Sequence, residues 1–120
     1  VDFSVILIQG TLEKAKAKNF MTAGYKITKA AVKDLEDIWT FTKKNMAEKQ
    51  ADQYYQLIVD EIQFIVKNPY LGIQYEKIRA GYRASKVKSH LIFYKLHHDQ
   101  VEIIRILHVR MNLLDHLVDV

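Results

Sequence analysis

Five histidines, His90, His97, His98, His108 and His116, are the first residues whose type suggests chemistry. Imidazole can ligate a metal or carry a proton near neutral pH. A metal site needs its ligands at set separations. The sequence has no HExxH or HxH arrangement and no carboxylate at a matching spacing, so no metal is expected. His97 and His98 fall in a turn, where neighbouring side chains should diverge. The serines are Ser4, Ser85 and Ser89, without a GxSxG elbow. Neither GxGxxG nor a phosphate loop occurs. Paired-carboxylate chemistry would need two acids on one surface; the main candidate, Glu102, reads as a solvated or ion-paired strand residue. No catalytic residue and no cofactor is assigned.

Charge is the stronger signal. The chain of 120 residues carries a net +4. From Glu76 to Arg110, Lys77, Arg79, Arg83, Lys86, Lys88, Lys95, Arg105 and Arg110 face only Glu76, Asp99 and Glu102. A basic platform of this kind attracts acidic partners, whether RNA, DNA or an acidic protein segment. RNA cleavage would use it to supply a base, an acid and cations for phosphate. Partner recognition needs only arginine and aromatic anchors. A third reading is a run of charge that merely solubilises a sheet. The candidate partner-binding residues are Arg83, Arg105, His108 and Arg110, with Tyr82 and Tyr94 as aromatic companions. Arginine can hold a carboxylate in a bidentate, charge-assisted pair. A histidine ending a strand, such as His108, is often just a structural hydrogen-bond partner.

These residues must be placed by a small fold. The length fits one domain. With no cysteine, a disulfide scaffold, a Cys-based zinc site and a Cys nucleophile are excluded. Apolar residues make up 49% and charged residues 27%, the balance of a globular chain. The opening apolar run "FSVILI" is far shorter than the ~20 residues of a spanning helix. No cation precedes it, so neither a membrane span nor a signal peptide is expected, and a cytoplasmic location follows. Residues 1–20 read as an extension, and Met21 opens a single domain over 21–120.

Within that domain a short strand is expected at Tyr25–Thr28. Ala31, Leu35, Ile38, Trp39 and Thr42 then recur at helical spacing, with Thr28 as N-cap and Lys43-Lys44-Asn45 at the far end. A second helix should run from Ala47 to Lys67, where Asn68-Pro69 stops it. The short connection makes the two helices an antiparallel hairpin. A loop follows, then strands at Tyr82–Val87, Leu91–Leu96 and Val101–Val109, joined by the turns "VKSH" and "HHDQ". The tail "MNLLDHLVDV" is a short helix or a frayed end. Strict alternation puts Arg105 with Val101, Ile103 and Leu107, and His108 and Arg110 with Ile104 and Ile106. Both faces of this strand are largely apolar, as in a central strand. Grouped helices and grouped strands give an α+β fold, a helical hairpin on an antiparallel sheet of three to four strands.

Four strings, in order, resemble one family. "YKITKAAVKDLEDIWTFT" (25–42) is similar to the opening strand and helix of ParE-type toxins. "NPYLG" (68–72) resembles their helix-to-sheet loop. "IRAGYRASKVKSHLIFYKL" (78–96) and "VEIIRILHVRMN" (101–112) resemble their sheet. Together they cover Tyr25 to Leu114. The resemblance implies a RelE/ParE-like fold and the toxin half of a type II toxin–antitoxin system. It implies a non-enzymatic inhibitor of DNA gyrase that stabilises the cleaved DNA complex. It also implies a cognate antitoxin whose C-terminal segment folds onto the toxin. No membrane partner is expected, and nucleic acid is met only through the target complex. The RelE branch instead cleaves mRNA on the ribosome, often with a tyrosine near the C-terminus. The residues after Arg110 contain no tyrosine. Leu-His-x-Arg-Met also favours ParE, with RNA cleavage as the alternative.

Overall fold

A computed structural model describes residues 25–117. The elements are β1 (Tyr25–Ile27), α1 (Lys29–Asn45), α2 (Glu48–Lys67), β2 (Ile73–Gln74), β3 (Tyr82–Val87), β4 (His90–His97), β5 (Gln100–His108) and α3 (Leu113–Leu117). The proposed extension, residues 1–20, lies outside the described residues.

Thr28 starts α1 as expected. Its Oγ1 accepts from the Ala31 N–H at 3.0 Å, satisfying a donor that the first turn cannot. The same hydroxyl donates to Ile104 O at 2.7 Å, which ties the helix start to β5. α1 ends at Asn45 with Lys43 and Lys44 in its last turn, beside the negative end of the helix dipole. α2 ends at Lys67, and the N–H of the capping Asn68 reaches back to Phe64 O at 2.9 Å. The helices bury Ala31, Leu35, Ile58, Ile62 and Ile65 against one face of the sheet.

The sheet has five strands in the order β1-β5-β4-β3-β2. It exceeds the expected three to four, and it is mixed. β1 runs parallel to β5, while the other pairs are antiparallel. A parallel pair needs a long crossover, and the helical hairpin begins the one that links β1 to β5. β2 falls in the stretch expected to be loop. Two residues are too few to show alternation. The β4–β5 turn has positive φ at both His98 and Asp99, the geometry of a two-residue hairpin loop. The His97 and His98 rings do not diverge. Their centroids lie 4.2 Å apart, edge to face.

One irregularity overturns the expected faces of β5. Tyr94 sits opposite Ile103 and Phe93 opposite Arg105, leaving Ile104 as the extra residue of a β-bulge. The alternation therefore resets. Ile103 and Ile106 pack toward the helices, while Ile104 and Leu107 pack on the other face. That second face is covered by Leu113 and Leu117 and by Tyr75 and Ile78 of the loop before β3. β5 is thus central and buried on both faces, as its composition implies. No described helix is long and apolar enough to cross a membrane.

Candidate functional site

The six residues expected at a partner surface do not form one cluster. Arg105 holds Asp34 of α1 in a two-point pair, Nε to Oδ2 at 2.7 Å and Nη2 to Oδ1 at 2.8 Å. Its Nη1 donates to His116 O at 3.1 Å. Asp34 Oδ2 also accepts the Ile106 N–H at 2.9 Å. β1 ends at Ile27, so beyond it this carboxylate takes over a hydrogen bond that a strand would make. The side chains of Arg105 and Asp34 are only 19% and 11% exposed. Arg105 therefore joins α1, β5 and α3 from within the fold.

Tyr82 and Tyr94 are also interior, at 1% and 0% exposure. Partner contact would need these rings on a surface, whereas strand alternation turns each into a core. Tyr94 faces the helices and Tyr82 the opposite layer. Arg83 is half-buried and donates through Nη1 to Tyr70 O and Gly72 O, both at 3.1 Å. Arg110 is exposed, and its backbone N–H donates to His108 Nδ1 at 3.1 Å. Of the six, Arg110 alone is exposed, while Arg83 and His108 lie at the margin of the surface.

The fold instead opens a cleft of about 810 Å³ between the helical hairpin and one end of the β4–β5 pair. Phe41, Met46, Leu57 and Met111 line it and remain 69%, 69%, 42% and 44% exposed. Tyr54, His90, Ile106 and His108 also line the cleft, with Asp34, Asp37 and Lys88. The sequence carried a trace of this. Phe41 lies off the apolar stripe that anchors α1 and Met46 just beyond its end, and neither marks a cleft without the second wall.

His90 is fixed within the cleft. Its Nδ1 lies 2.6 Å from Tyr54 Oη, and Tyr54 Oη lies 3.2 Å from Val87 O. The hydroxyl has one proton, so if it donates to Val87 O, the His90 Nδ1–H must donate to it. His108 is the cross-strand neighbour, with ring centroids 5.1 Å apart. Burial pushes the His90 pKa down to about 4 from 6.5, with repulsion from His108 adding to the fall and Asp34 opposing it. As pH drops below 6.5 the unfolded chain takes up this proton before the folded one does. The contribution of His90 to stability is therefore fully present above pH 6.5 and is lost progressively toward pH 4. Urea unfolding at pH 4.5 should give a stability ~1–2 kcal/mol below that at pH 7.5 from this residue, allowing for the ring's partial solvent access. His90→Gln should remove that part of the pH dependence.

Comparison with known proteins settles the family. Residues 25–113 match the model of the ParE toxin of type II toxin–antitoxin systems, parDE. The chain belongs to the ParE toxin family. Toxin ParE1 of Caulobacter vibrioides is 39% identical over 93 residues, 78% of this chain and 96% of that protein. Toxin ParE1 of Mycobacterium tuberculosis is 33% identical over 93 residues, 77% of this chain and 95% of that protein. A solved chain from the chromosomal ParDE system of P. aeruginosa shares the fold. Its TM-score is 0.66 at 19% identity, covering 74% of this chain and 98% of that one. The ParE domain thus runs from β1 to the first residue of α3 and includes every wall of the cleft.

Proposed function

We propose that this ParE-family toxin acts by binding protein rather than by catalysis. Its target is DNA gyrase, whose cleaved DNA complex it stabilises, and a cognate antitoxin, ParD-like or of another kind, neutralises it. The observation that carries the protein-binding part is the open apolar cleft within the family domain. Four large apolar side chains left in water favour a protein segment that buries them. An antitoxin tail disordered in isolation can order as it fills such a groove. Membership of the ParE family supports the gyrase target. A toxin that acts on gyrase would work in the cytoplasm.

One observation favours the alternative, ribosome-dependent mRNA cleavage. His90, His108, Lys88 and Arg110 gather near one end of the sheet. General acid–base work needs groups free to exchange protons with substrate. Here His90 Nδ1 is engaged by Tyr54 and His108 Nδ1 by a backbone N–H, which weighs toward a structural role. Expression without antitoxin should halt growth and give filamentous cells with a DNA-damage response, and antitoxin co-expression should restore division. Growth arrest accompanied by cut ribosome-bound mRNA, without DNA damage, would select the alternative.

A further inference from the structure

Away from the cleft, the segment Asn68–Gly72 is tied down while its two largest side chains point outward. Tyr94 Oη donates to Pro69 O at 2.8 Å and accepts from Gly72 N at 3.0 Å. Arg83 holds Tyr70 O and Gly72 O. Asn68 Nδ2 donates to Phe64 O at 3.1 Å, and Leu71 N to Asn68 O at 3.2 Å. Tyr94 is fully buried, so the anchor belongs to the core. Yet Tyr70 and Leu71 are 68% and 70% exposed. Ile73 on the edge strand β2 is 62% exposed, and Phe64 on α2 is 47% exposed. A single exposed apolar residue needs no explanation. Four within ten residues, on a segment whose backbone is already ordered, form a prepaid contact surface. Binding there would not have to meet the usual loss of loop entropy.

We propose that Tyr70 and Leu71 are the anchors of a docking surface for the toxin's protein target. They would enter an apolar pocket on that protein flanked by carboxylates. Charge identifies this occupant: residues 67–86 contain Lys67, Lys77, Arg79, Arg83 and Lys86 against Glu76 alone. The Arg83 guanidinium sits 5.6 Å from the centre of the Tyr70 ring, so cation and aromatic are offered together. The aliphatic side chains of Leu71 and Ile73 favour a protein over a nucleic acid, whose bases stack on aromatic faces. None of these anchors lines the cleft, which leaves that groove for a second partner. The inference rests on the reading of this chain as a toxin that acts on a protein, and it adds which surface makes the contact.

The test uses the full chain with Tyr70→Ala, Leu71→Glu or the milder Leu71→Ser. Each variant is assayed by thermal melting, by growth arrest and by trapping of gyrase holoenzyme on supercoiled plasmid. The melting points should stay close to that of the parent chain, since exposed sites have small effects on stability. Potency against gyrase and growth should fall roughly thirty-fold or more, the loss expected of a hot-spot side chain. Folded variants that arrest growth at the parent's dose would overturn the proposal. Loss of potency only in variants that melt far below the parent would also overturn it, since the loop would then be structural. If the parent does not trap gyrase, the target assignment fails, but growth arrest still reports on the surface. A variant defect confined to mRNA cleavage would replace the protein partner with RNA.

Discussion

Asp34→Ala should destabilise the domain by ~3 kcal/mol, within the range for removing one partner of a desolvated ion pair. For a domain of this size that displaces the thermal midpoint by roughly 12 °C or more. The substitution removes more than an ion pair. Both charge-assisted bonds to Arg105 disappear, and so does the acceptor for the Ile106 N–H. The guanidinium would keep only His116 O, and a largely buried cation left without a carboxylate is costly. The backbone donor beside it would need water where β1 no longer covers the strand. Asp34→Asn keeps an acceptor oxygen but no charge, so it should fall between the parent and the alanine variant. Thermal melts of the three chains check this, and an alanine variant melting within about two degrees of the parent would show that the pair contributes little.

Gly72→Ala should have the next largest effect. A Cβ at this position would lie 2.1 Å from Tyr94 Oη and 2.8 Å from Cζ. Tyr94 is packed between the sheet and the helices and cannot step aside freely. Either the ring shifts within the core or the loop lifts from it, and both outcomes break the hydrogen bonds of Tyr94 to Pro69 and Gly72. Overpacking contributes ~1–3 kcal/mol and the lost bonds ~1 kcal/mol each. Relief of the overpacking is what breaks the bonds, so the two costs do not simply add, and a loss of ~2–3 kcal/mol is expected, with the loop more open to proteolysis than in the parent. Tyr94→Phe in the Gly72→Ala background tests the mechanism. Removing the hydroxyl should recover part of the loss, because it removes the closest of the clashing atoms while the ring carbons remain.

Much of the fold was legible because its signals are local. Thr28 has the side chain for a cap, Asn68-Pro69 cannot continue a helix, and His98-Asp99 can occupy a tight hairpin loop. The apolar character of both faces of β5 correctly announced a central strand. What escaped was non-local. The bulge at Ile104 depends on register against β4, so Arg105 read as a surface residue. The pairing of Arg105 with Asp34 joins residues far apart in sequence, and no periodicity reports it. Tyr82 and Tyr94 were assigned by residue type, although aromatic residues fill cores as readily as interfaces. The cleft needed two walls from different elements, and the anchoring of the NPYLG segment showed only once Tyr94 and Arg83 were seen to hold it.

Whether this toxin acts on gyrase is decided by incubating the purified full chain with gyrase holoenzyme, ATP and negatively supercoiled plasmid, then denaturing with detergent and protease. Linear DNA should increase with toxin dose, together with loss of supercoiling activity. Both effects should be suppressed by prior addition of the antitoxin. Unchanged supercoiling with no linear product, at concentrations of the same preparation that arrest growth in cells, would contradict action on gyrase.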